Sequence, residues 1–110
     1  LKINKELLKG STVGLVLKML DQKDMYGYEI IKEMELKSGG VFEFKEGTLY
    51  PILHNLESDE LVEAYWEVKE SRKRKYYKIT HKGQKLLSEK NQEWTLFRNA
   101  VDRVLGEGSI

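Results

Sequence analysis

Cysteine is absent from the chain, which excludes disulfides, thiolate zinc sites and cysteine nucleophiles and agrees with a reducing compartment. No apolar run is long enough to span a bilayer, and the first residues lack a signal-peptide pattern, so a soluble cytoplasmic protein is expected. Histidine occurs only as His54 and His81. They stand far apart, with no HExxH pattern and no nucleophile elbow, and neither a metal site, a cofactor nor catalysis is expected of them. Proline occurs once, at Pro51, and that one position carries local information. Internal repeats and low-complexity linkers are also missing.

At 110 residues the chain has room for one domain with a modest core, and little room for the deep cleft of an enzyme. Oligomerisation is the natural way for it to bury more surface. The net charge of +1 points to no polyanionic partner, but the distribution does. Lys69, Arg72, Lys73, Arg74, Lys75, Lys78, Lys82 and Lys85 crowd a stretch whose only acid is Glu70. The compensating acids Glu57, Asp59, Glu60, Glu63 and Glu67 come just before it.

The most informative stretch runs from Glu46 to Val62. At helical spacing Leu49, Ile52, Leu53 and Leu56 form an apolar stripe, while Thr48, Tyr50, Pro51, His54, Asn55 and Ser58 fall on the other face. A surface helix normally turns Lys and Glu outward. This one offers hydroxyls, an amide, an imidazole and a flat ring, which are groups able to touch bases or phosphates. Proline fits where its missing N–H would lack an acceptor, so Thr48 as N-cap and a start near Gly47 or Thr48 put Pro51 in the first turn.

Around this helix the pattern predicts a buried helix from Asn4 to about Leu20, a turn at Asp21–Met25 and a shorter helix over Tyr26–Lys37. Ser38-Gly39-Gly40 is a strong stop. Val41, Phe42 and Phe44 form an extended linker. Leu61–Val68 and Arg74–Thr80 read as two strands joined by Lys69–Lys73, which makes a β-hairpin. A last helix is expected from Thr80, its N-cap, to about Leu105, with Gly106–Ile110 as a frayed end. Its stripe of Leu86, Leu87, Trp94, Phe97, Val101, Val104 and Leu105 has near-heptad spacing and needs a partner, which predicts a homodimer. Helix, shorter helix, linker, outward-facing helix and hairpin is the order of a winged helix-turn-helix.

The run Gly47-Thr48-Leu49-Tyr50-Pro51-Ile52-Leu53-His54-Asn55-Leu56-Glu57 closely resembles the recognition-helix signature of the PadR family of bacterial transcriptional repressors. Tyr26-Gly27-Tyr28-Glu29-Ile30 upstream and Arg74-Lys75-Tyr76-Tyr77-Lys78-Ile79-Thr80 with Gly83 downstream agree with it, in the expected order. The resemblance implies a mainly α chain with a small β-hairpin (α+β). A winged helix-turn-helix would span residues 1–80, and a dimerisation helix and tail residues 81–110. It also implies a homodimer on double-stranded DNA at a pseudo-palindromic operator, and no enzymatic activity. Two departures stand out. Ser71 and Lys73 replace the Gly and Pro often found in the hairpin turn. Glu60 replaces the glycine that usually follows the recognition helix, at a cost of about 1 kcal/mol if the left-handed geometry is kept.

The candidate DNA contacts are Thr48, Tyr50, Pro51, His54 and Asn55 on the helix and Arg72, Lys73, Arg74 and Lys75 on the wing. Asn55 and His54 suit base edges; Thr48 and Tyr50 suit phosphate. Tyr26 and Lys9 are further phosphate candidates, and His81 belongs near the backbone or in solvent. Taken alone, the helix is an ordinary amphipathic surface helix and the charge run a solvated face. Their juxtaposition favours DNA. Trp94 with Phe97 reads either as dimer-core packing or as a binding site in which paired Trp94 rings sandwich a planar aromatic effector. The second reading resembles what some short PadR-like proteins do with drugs or phenolic compounds. Trp66 reads as structural. A winged helix acting only as a protein-interaction adaptor is the competing functional class, and a small enzyme or metal sensor lacks a ligand set.

Overall fold

The structure, a computed structural model, describes residues 3–107. Five helices and a three-stranded antiparallel sheet follow in the order α1 (Lys5–Lys9), α2 (Thr12–Gln22), β1 (Met25–Tyr26), α3 (Gly27–Lys37), α4 (Glu46–Ser58), β2 (Val62–Lys69), β3 (Arg72–Ile79) and α5 (His81–Leu105). The sheet order is β1-β3-β2. Val62 pairs with Ile79 at the base of the hairpin and Lys69 with Arg72 at its tip, while Met25 pairs with Tyr77. One core, built on Val16, Leu17, Ile30, Leu49, Leu53, Val62 and Tyr77, joins α2, α3 and α4 to the sheet. This is the α+β winged helix-turn-helix with a long last helix that the sequence predicts.

Several boundaries differ from the sequence reading. The first helix is broken at Gly10-Ser11, two weak helix formers. Asn4 caps α1 by accepting from the Glu6 N–H at 2.8 Å, and Thr12 Oγ1 donates to the Leu8 carbonyl at 3.1 Å across the break. α2 runs on to Gln22, and part of the expected turn is the strand β1, too short to carry a periodicity. The fraying expected of Gly106–Ile110 lies outside the described residues from Gly108 on; Gly106 itself closes α5 at φ 75°.

The two ends of α4 explain its neighbours. Its N-cap is Lys45, not Thr48: the Thr48 N–H already bonds the Lys45 carbonyl at 3.0 Å, inside the first turn. Pro51 therefore lies in the second turn, where its missing N–H takes one bond from the ladder and leaves the Gly47 carbonyl without its usual donor. At the other end Leu61 N–H bonds the Leu56 carbonyl and Glu60 N–H that of Glu57. This Schellman closure, with Leu56 and Leu61 both in the core, turns the chain directly into β2.

The hairpin is tighter than expected. Its connection is two residues, Glu70 at φ 53° and Ser71 at φ 64°, instead of the five from Lys69 to Lys73. Both left-handed conformations mark a type I′ turn, built here without glycine. α5 starts where expected: Thr80 Oγ1 accepts from Gly83 N–H at 3.0 Å. Gly83 lies so close to the Leu61 carbonyl that an added Cβ would strike its oxygen, so the first turn of α5 is seated on the turn that joins α4 to β2.

Candidate nucleic-acid interface

α4 buries Leu49, Leu53 and Leu56 and leaves Thr48, Pro51, His54 and Asn55 exposed. The predicted polar face is thus on the surface, and it is continuous along the helix. Tyr50 differs from the others, being half-buried. Its ring covers Gly27 at the start of α3 so closely that a Cβ there would lie 2.6 Å from the Tyr50 hydroxyl oxygen. Burial first, then the Glu46 carboxylate, raises the Tyr50 hydroxyl above the usual tyrosine range, so it stays a neutral donor. The upstream Tyr-Gly-Tyr motif and the central helix therefore meet in space, because Gly27 makes room for Tyr50.

The wing cations all lie on β3 and have different surroundings. Arg72 and Lys73 are exposed, and Arg74 and Lys75 half-buried. The Arg74 guanidinium stands over the Tyr26 ring at 4.4 Å. The Lys73 ammonium stands 5.2 Å from the centroid of the Trp66 ring. Lys75 reaches back to α4, its Nζ 3.3 Å from Glu57 Oε1. Partial burial pulls the Lys75 pKa down, but the Glu57 hydrogen bond, aided by Tyr77 and the Glu57 charge, outweighs it and holds the group above the ordinary lysine value. Lys75 is thus a charged strut between the two elements as well as a cation beside the candidate surface.

Behind the wing, Tyr65 stacks on Tyr76 at 5.7 Å and donates to Asp24 at 2.6 Å, and Tyr76 meets Tyr26 edge-on at 5.4 Å. These contacts tie the hairpin to the segment before α3. Sequence reasoning did not find them, because Asp24 and Tyr65 are brought together only by the pairing of β1 with β3.

Tyr26, Gly27, Tyr50, His54, Trp66, Arg74, Lys75 and Tyr77 line one cleft of about 330 Å³ between α4 and the hairpin. It gathers five of the predicted phosphate or base candidates, while Thr48, Pro51 and Asn55 stand beyond it on the exposed face of α4. Lys9 lies on α1 and His81 at the start of α5, both exposed and outside the cleft. Trp66 was missed. Period-two alternation sets it on the same sheet face as Val62 and Ala64, yet it is 60% exposed because the hairpin outruns the core. Among the described residues no group of three His, Asp or Glu side chains is placed to hold a metal.

Trp94 and Phe97 lie together on the outer side of α5, with ring centroids 6.1 Å apart. Phe97 continues into a shallow apolar groove of about 240 Å³ with Ala100, Val101, Val104 and Leu105. No helix among the described residues is long and apolar enough to cross a membrane.

Comparison with known proteins gives one answer. The model of the PadR-like family of transcriptional regulators matches residues 16–89. An uncharacterised protein of Lysinibacillus sphaericus is 37% identical over 101 residues, covering 91% of this chain and 93% of its own. The crystal structure of a PadR-like transcriptional regulator from Bacillus cereus is 34% identical with a TM-score of 0.83, covering 92% of this chain and 97% of that one. A PadR family regulator from Clostridium difficile is also 34% identical, with a TM-score of 0.76 over 86% of this chain and 98% of that one. The outward polar helix, the basic wing and these likenesses agree: the chain belongs to the PadR-like family of transcriptional regulators and is a DNA-binding regulator of transcription, not an enzyme.

Proposed function

We propose that the protein is a cytoplasmic, homodimeric repressor that occupies a pseudo-palindromic operator and is released by a small planar aromatic ligand. The observation that carries the DNA reading is the exposed face of Thr48, Pro51, His54 and Asn55 on α4, which the Glu57–Lys75 contact and the shared cleft set beside the basic strand Arg72–Lys75. In a dimer joined through α5, two copies of α4 enter successive major grooves, about one helical turn or roughly 34 Å apart. Asn55 and His54 then read base edges, Thr48 and Tyr50 hold phosphates, and Arg72, Lys73 and Arg74 meet the flanking backbone. A bound dimer excludes polymerase from the DNA that it covers.

The effector reading rests on Trp94, half exposed beside Phe97 on an apolar helix face. Two such rings across a dimer axis would hold a flat aromatic compound between them. Its binding would change the separation of the two α4 helices and mismatch them to the groove spacing.

The test is a binding titration on the DNA upstream of the protein's own gene, repeated over a salt series and with planar aromatic dyes. The expected result is sequence-preferring binding whose log K falls with log salt by about 0.9 for each phosphate neutralised. Dyes should weaken it and quench Trp94. Binding without sequence preference contradicts a repressor, absence of salt-dependent binding favours the protein-interaction adaptor, and unchanged quenching in Trp94→Ala removes the effector site.

A further inference from the structure

β2 carries two large apolar side chains past the end of the core. Val62 at its base is 2% exposed, whereas Trp66 and Val68, on the same sheet face, are 60% and 65% exposed. That face is the one α4 packs against, as the bond between Glu57 and Lys75 shows. The indole therefore projects into the cleft between α4 and the hairpin, opposite Lys75 in the strand register. At 60% exposure most of the indole adds nothing to the subunit's own core.

What surrounds it narrows the occupant. Lys73 stands over the ring, Arg74 and Lys75 line the same cleft, and the nearby acid Glu57 is already engaged by Lys75. This surface does not suit an apolar protein knob, which would bury Lys73 and Arg74, held only over aromatic rings, with no acid to pair them. A cluster made to grip phosphate alone has no use for the plate. The mixture suits a polymer that alternates anionic and apolar faces at short intervals, which describes the phosphates and deoxyriboses of one DNA strand.

We propose that Trp66 and Lys73 form a saddle for the single sugar–phosphate strand that separates the groove entered by α4 from the groove flanked by the hairpin, with the indole against deoxyribose and the ammonium on the adjacent phosphate. This rests on the DNA-binding reading above and adds to it a specificity-determining residue. The indole can follow only a strand whose sugars pass at the right distance, so it senses local groove width without touching a base edge.

The test uses the full chain and a duplex that the protein itself recovers from a random-sequence pool. Because the chain has two tryptophans, the Trp66 signal is read as the difference in emission between the parent and Trp66→Phe. Adding duplex should shift and saturate that difference signal. Trp66→Ala should bind about tenfold more weakly, the low end of what a base stacked on an aromatic side chain contributes, and Trp66→Phe within about threefold of the parent. The salt slope should be unchanged in Trp66→Ala and shallower by about 0.9 in Lys73→Gln. Parent binding with no Trp66 signal and undiminished affinity in Trp66→Ala overturns the saddle alone. Should Trp66→Ala fail to fold, the emission difference decides by itself. Recovery of no duplex from the pool overturns the DNA reading and the saddle with it.

Discussion

Glu60 sits at φ 61°, in the left-handed region, because the Schellman closure of α4 demands it whatever residue is present. A side chain with a Cβ is strained there, and the chain tolerates it because Leu56 and Leu61 lock the turn from both sides. Glu60→Gly should therefore stabilise the fold by about 1 kcal/mol. Thermal unfolding should rise by about 4 °C, and an unchanged or lower midpoint would count against the strain. Tyr65 gives a prediction of a different kind. Its hydrogen bond to Asp24, with partial burial and the Asp24 charge added, pushes its hydroxyl up to about 12. An unfolded tyrosine ionises near pH ~10, so above that pH the unfolded chain releases a proton that the folded chain keeps. The contribution is complete below the unfolded value and is lost as pH rises through the folded one. A plot of melting temperature against pH should fall between about pH 10 and 12 less steeply in Tyr65→Phe than in the parent. Parallel curves would remove the Asp24 bond as the cause.

At the scale of elements, the hairpin turn is the clearest test of what local sequence can specify. Glu70 and Ser71 both adopt left-handed conformations in a type I′ turn that Asn-Gly fits best. The double change Glu70→Asn, Ser71→Gly should raise stability by about 1 kcal/mol, measured by urea unfolding, while the strand register Lys69 to Arg72 is kept. A loss of stability would mean that the turn is shaped by tertiary contacts instead. The same turn shows where the sequence was hard to read. With no glycine and with cations at every position from Arg72 to Lys75, the alternation of β3 was masked and a five-residue loop looked better than two long strands. α4 misled for the opposite reason: Thr48 looks like a cap, whereas the true cap, Lys45, has no side chain suited to the task. Where side chain and geometry agree, the reading was direct. The Leu49, Leu53 and Leu56 stripe, the stop at Ser38-Gly39-Gly40 and the Thr80 cap all stand as expected. The exposed face of α4 was legible from helical period alone. The cleft was not, because Tyr26, Tyr50, Trp66 and Arg74 come from four elements and meet only through the antiparallel register and the gap left by Gly27.

On the scale of the whole molecule, the subunit is longer than a compact chain of its size. Its radius of gyration is 15.5 Å, against roughly 13 Å for a compact globule of this length. The excess lies in α5, whose 25 residues rise about 37 Å. Its early turns rest on the rest of the subunit through Gly83 and Leu87, but every residue from 91 to 99 is exposed. Trp94 and Val101 follow Leu87 at seven-residue intervals, and Phe97 and Val104 occupy the interleaved position, which is the seam of a helix pair. Val104 is 85% exposed, so replacing it leaves the subunit's own packing intact and acts only on whatever covers the seam. In the proposed homodimer Val104→Glu puts a carboxylate into each copy of the apolar seam, and sedimentation should move from dimer to monomer with the circular dichroism unchanged. The melting temperature of the parent should rise with protein concentration, and that of the variant should not. Operator affinity should drop by about a hundredfold, because one α4 helix then binds without the effective concentration its twin supplies. A variant that stays dimeric and keeps its affinity would place the subunit contact elsewhere, and the spacing of the two α4 helices would then have to be set by a different surface.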